Sequence, residues 1–174
     1  MTEKKDIIFG ILINFKYDYE SQAIDSITKI DLEALDHKML YVVSSMPRSI
    51  NPQYAVDTTI KLEQKGIITR SVLHLYPELL HLVEYEAFSK LNGVTHLIKM
   101  EQQDTITTSF LELCQEKIKE GITCIQNEDT SLTVVPFSIV NRTYPLVGDY
   151  DSTIKEIKQI SMKKGLYFKN GEKK

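Results

Sequence analysis

Residues 96–114 read HLIKMEQQDTITTSFLELC. Leu97, Ile98 and Met100 form a short apolar strand. From Thr107 onward, Leu111 and Cys114 return at helical spacing and give an amphipathic helix. The turn between them is acidic and amide-rich: Glu101, Gln102, Gln103, Asp104. A strand that passes through a polar turn into a helix is the building unit of an α/β protein. Oxygen-bearing side chains at the carboxyl end of such a strand can hold a metal ion or a phosphate. They can equally form a solvated turn that caps the next helix, and the residues alone leave both readings open.

Outward from this stretch the same alternation continues in both directions. Residues 6–14, DIIFGILIN, are a continuous apolar run, as expected for a strand covered on both faces. DYESQAIDSITKI follows, with Tyr19, Ala23, Ile27 and Ile30 on one helical stripe. KMLYVVSS (38–45) predicts a second strand, and IITRSVLHLY (67–76) a third. Between them lies a helix with Asn51 as N-cap, Pro52 at its first position and Gly66 as its stop. A further helix opens at Pro77 and closes at Gly93, and THLIKM (95–100) makes the fourth strand. Thr107 or Thr108 caps the next helix, whose Leu111, Cys114 and Ile118 share a face and whose Gly121 ends it. Beyond 121 the rhythm changes: ITCIQ and TVVPFSIVN flank the turn-rich NEDTS and predict an antiparallel excursion. A helix, DSTIKEIKQISMKKG, and a short strand, LYF, complete the pattern.

The expected architecture is one domain over residues 1–174, a three-layer α/β/α arrangement with a mostly parallel central sheet. Its 174 residues suffice for one sizeable core, and a hydrophobic fraction of 42% with 26% charged residues is ordinary for a globular chain. The formal net charge of -3 provides no global field for nucleic acid or an anionic membrane. No apolar run approaches the ~18 residues of a membrane span, and the apolar start lacks a small-residue cleavage site, so a cytoplasmic protein is expected. Cys114 and Cys124 lack ligand-like spacing and read as buried reduced thiols. No glycine-rich phosphate loop and no G-x-S-x-G nucleophile motif occurs.

The run LVEYEAFSKLNGVTHLIKMEQQDTITTSFLELCQEKI (82–118) resembles the central segment of family 2 glycosyltransferases of the GT-A fold. There a helix ending in Gly leads into an apolar strand, an acidic D-x-D turn, and a helix that starts with an aromatic residue and a leucine. ILINFKYDYESQAIDSI (11–27) looks like the family's first strand, loop and helix, and KMLYVVSS sits where its base-recognising strand ends. The likeness covers roughly residues 6–120, the nucleotide-sugar-binding half, with a weaker echo over 144–168 in a shortened acceptor-side half (121–174).

That resemblance implies a nucleotide-sugar donor, a Mg or Mn ion, and a set of site positions. The base-recognising acid falls on Ser44, with Ser45 beside it; Asn14 ends the first strand; the family's Arg-Asn pair falls on Glu84 and Tyr85. The metal-binding acids fall on Glu101 and Gln103, followed by Asp104. Acids for the catalytic base would come from Asp149, Asp151 or Glu156, none of them in clear register, so the base is unassigned. Frame positions are kept while the reactive ones have changed. Two functions follow: a divergent sugar transferase with a weak divalent-metal site, or the same scaffold kept as an inactive binding or structural module, alone or in a homo-oligomer or larger assembly. Bland readings stand beside them. His74, His81 and His96 suit satisfied imidazoles in apolar surroundings, His37 the surface, and Tyr17, Tyr19 and Tyr54 packing as readily as an aromatic rim.

Overall fold

Four of the apolar runs become neighbouring parallel strands of one sheet: β1 (Phe9–Asn14), β2 (Tyr41–Pro47), β3 (Ile68–His74) and β4 (His96–Glu101). The computed structural model describes residues 6–16, 21–74, 88–122, 125–126 and 132–137. Two shorter strands, β5 (Ile125–Gln126) and β6 (Thr133–Pro136), extend the sheet antiparallel, giving the order β3-β2-β1-β4-β6-β5. The predicted α/β class, the mostly parallel sheet and the antiparallel excursion after residue 121 are therefore all present. The helix and strand expected after residue 150 lie outside the described residues.

Parallel neighbours require crossovers, and helices supply them. They are α1 (Gln22–Ile27), α2 (Pro52–Glu63), the helical residues 88–92 (α3) and α4 (Thr108–Lys119). The caps follow the side-chain chemistry. Asn51 accepts from the Gln53 N–H at 2.9 Å with Pro52 in the first turn, and Thr107, not Thr108, accepts from the Phe110 N–H at 3.1 Å. Gly66 follows α2 at φ +78, where a Cβ is disfavoured, and lets the chain reverse into β3. α1 is shorter than its periodicity suggested. Ser26 and Thr28 turn their hydroxyls back onto the carbonyls of Ala23 and Asp25, and Asp31 then caps a separate 3-10 turn over Leu32–Ala34.

The pleat sorts the sheet into two sides. Phe9, Ile11, Ile13, Val42, Met46, Ile98, Met100, Ile125 and Val134 join Ile24 and Ile27 of α1, Ala55 and Leu62 of α2, and Leu111 and Cys114 of α4 in one core. Three helices thus cover a single side. Each fully buried aliphatic side chain there contributes about 1.5–3 kcal/mol over an exposed one. On the other side, Leu12, Val43, Leu97 and Val135 are buried as well, and Phe88 of α3 meets Tyr41 edge-on at 6.0 Å.

Candidate functional site

The connection from β1 runs to β2 on one side, whereas β4 lies on the other, so the sheet changes direction between β1 and β4. In open α/β sheets the crevice beyond the carboxyl strand ends at such a point is where ligands bind. Register fixes what stands there. Asn14 is laterally paired with Ser45 of β2 and with Glu101 of β4, so Ser45, Asn14 and Glu101 form one row across three strands on the side away from α1, α2 and α4. Ser45 is fully buried; Asn14 and Glu101 are half-buried.

Ser44 points to the opposite side. It pairs laterally with Ile13 and Ser71, and Ser71 is hydrogen-bonded to Thr59 of α2 at 2.8 Å. Its hydroxyl is buried under the helices without a hydrogen-bond partner. Of the two serines, Ser45 is the one brought to the row. Glu84, Tyr85, Asp149, Asp151 and Glu156 lie outside the described residues, as do Tyr17, Tyr19, His81 and Cys124.

The polar turn after β4 has a definite internal chemistry. Asp104 Oδ2 accepts from the Glu101 N–H at 2.8 Å, and the Asp104 N–H donates to the Glu101 carbonyl at 3.1 Å, closing the turn on itself. The Glu101 carboxylate faces Lys99 Nζ at 3.4 Å; these two residues stand on the same side of β4. Gln102 is the residue that reading by motif passed over. Its buried side chain accepts from the Lys16 N–H at 3.0 Å, while its carbonyl accepts from Ser21 Oγ at 2.7 Å and the Ala23 N–H at 3.1 Å. It bolts the turn after β4 to the loop after β1. The only sequence signal was an amide between Glu101 and a second amide, Gln103, which does not distinguish a clamp from a ligand.

A divalent ion needs several hard oxygen ligands, preferably charged. The turn supplies two carboxylates and the amide of Gln103; one carboxylate oxygen already holds a backbone N–H and the other group carries an ammonium counter-ion. Among the described residues no three His, Cys, Asp or Glu side chains gather as a metal set. The residues present therefore fit a tightly held ion poorly.

For His96, Cys114, His37 and Tyr54 the bland readings hold. His96 Nδ1 lies 2.9 Å from Thr95 Oγ1 and its ring is edge-on to Phe9; burial lowers its pKa from 6.5 to about 4. Burial also pushes the thiol of Cys114, a free cysteine, well up, so it stays protonated and unreactive. His37 sits at the surface against Asp6 at 3.1 Å, and Tyr54 packs edge-on against Phe15. A cleft of about 580 Å³ lies between α1 and the start of α4, away from the row. Three of its hydroxyls serve the fold: Thr107 caps α4, Thr108 accepts from the Asp31 N–H and Ser26 from the Ile106 N–H. No described helix is long and apolar enough to cross a membrane.

No protein-family model and no curated protein matches the sequence. Solved structures do. A cytidylyltransferase from Leptospira borgpetersenii superposes with a TM-score of 0.61 at 10% identity, covering 94% of this chain and 75% of its own. A mannosyltransferase from Pyrobaculum calidifontis, solved with GDP-Man and Mn2+, gives 0.58 at 10% identity over 92% of this chain. The chain spans 54% of the length of that second structure. At this identity the likeness is one of fold alone: a mixed α/β domain with a mostly parallel central sheet, shared with these two structures.

Proposed function

We propose that this protein binds a nucleotide sugar at the carboxyl end of its sheet and is a divergent relative of the family 2 glycosyltransferases. One observation carries the reading: Ser45, Asn14 and Glu101 form a contiguous polar row at the switch between β1 and β4. In this reading Asn14 and Ser45, with Ser44 behind them, belong to the nucleoside side, and Glu84 is a further donor-binding position. Glu101, Gln103 and Asp104 stand where the family holds its ion, with the charge much reduced. Sugar transfer to an acceptor would also need a positioned base.

A second reading has its own support. Because Asp104 is tied to the turn's backbone and Glu101 to Lys99, the degenerate acidic motif suits a module that retains donor binding without transfer. That module would work alone, as a homo-oligomer, or within a larger assembly.

Thermal unfolding with UDP-, GDP- and CDP-sugars, with and without Mn2+, tests the common part. A ligand at a hundredfold excess over its Kd stabilises the native state by about 2.7 kcal/mol. No shift with any donor rules the proposal out. A shift with no release of sugar to any acceptor or water favours the module, and light scattering then reads its assembly state.

A further inference from the structure

β4 lies near the middle of the sheet, yet it carries a lysine there. The Lys99 side chain is only 13% exposed, flanked laterally by Leu12 and the buried Thr133. Lysine is almost never withdrawn from water to this extent without a charge partner. One partner is Glu101, two residues further along the same side, so the ammonium leans toward the carboxyl end of the strand, where the row begins. The local charge balance is therefore unlike that of a metal site. The fixed cation belongs to the protein, and a divalent ion drawn to Glu101 would meet Lys99 Nζ within a few ångströms and be repelled.

The geometry points to Lys99 as the group that neutralises the diphosphate of the nucleotide in place of a metal ion. Glu101 is a resident counter-ion: it holds the ammonium in place while the site is free of nucleotide, then yields it to a phosphate oxygen. A lysine can meet phosphate as a point charge without bidentate geometry. The chain thereby selects nucleoside diphosphates and their sugars without an ion, which explains why Asp104 is left to close a turn. This inference rests on the nucleotide-binding reading above, and its test separates the two.

Calorimetric titration of UDP, GDP and CDP into the wild type, Lys99→Met and Glu101→Gln, in EDTA and again in Mn2+, decides it. The wild type should bind at least one nucleotide in EDTA about as tightly as in Mn2+. Lys99→Met keeps the aliphatic stem and should bind roughly tenfold more weakly or worse, as expected for loss of a charge-assisted hydrogen bond. Glu101→Gln should bind as well or better, because the ammonium loses its competitor. If Lys99→Met fails to fold, Lys99→Gln serves instead, and Lys99→Arg should recover part of the affinity. Binding that requires Mn2+ and vanishes in Glu101→Gln would overturn the role of Lys99 while leaving nucleotide binding standing. Binding in EDTA that is indifferent to Lys99 would overturn it too. No binding in either buffer would sink both.

Discussion

The two sides of β4 were built under different rules. His96, Ile98 and Met100 face the three-helix side, where Ile98 and Met100 are fully buried among apolar neighbours and even the imidazole is kept neutral. Leu97, Lys99 and Glu101 face the other way and grade from apolar to charged toward the strand's end. One six-residue strand thus carries both the frame and the rim. The first side tolerates little change because close packing turns any lost volume into a cavity. The second can exchange charges as long as the pleat is kept.

The largest expected effect comes from the packed side. Ile98→Ala should cost about 2–5 kcal/mol in urea unfolding; a loss below about 1 kcal/mol would mean that the division between frame and rim is drawn in the wrong place. Next comes acid. His96 stays neutral in the fold down to about pH 4, while the unfolded chain takes up its proton near 6.5. Stability should therefore be complete above pH 6.5 and fall as the pH drops toward 4, by on the order of 3 kcal/mol. Comparing the slope of Tm against pH in His96→Leu isolates that share, and an unchanged slope would refute it. Gln102→Ala should cost about 1–2 kcal/mol by leaving the Lys16 N–H without its acceptor. The smallest change belongs to the rim: Lys99→Met should move stability by no more than about 1 kcal/mol, since the partner Glu101 is a third exposed and can hydrate. A large loss there would make the lysine a structural element after all.

The frame was legible because its signals are local and redundant. Asn51-Pro52, Gly66 and Gly121 marked helix ends by chemistry that any chain obeys, and the apolar runs around Ile11, Val42 and Ile98 could hardly be anything but buried strands. α1 was overextended because periodicity does not register hydroxyls that bond back to the helix and end it. The rim was harder. Adjacent serines differ in side by one step of the pleat, so only register tells that Ser45 joins Asn14 while Ser44 turns inward. Nor does the string EQQD disclose that Gln102 clamps, Asp104 closes and Glu101 pairs backward with a lysine. Those roles depend on partners 81 and 86 positions away for Gln102 and two or three positions away for Glu101 and Asp104, and composition weighs them alike.

β6 runs against β4, with Thr133 opposite Lys99 and Gln126 opposite Thr133 in turn. A strand that doubles back delivers its own beginning, and the finish of its partner, to the end of the sheet where β1, β2 and β4 stop. Lengthening or replacing the chain between Gln126 and Thr133 would then alter the connection that enters β6 at Thr133, the lateral neighbour of Lys99, without touching a parallel pairing. Specificity could drift through that one joint, with the scaffold unaware of the change.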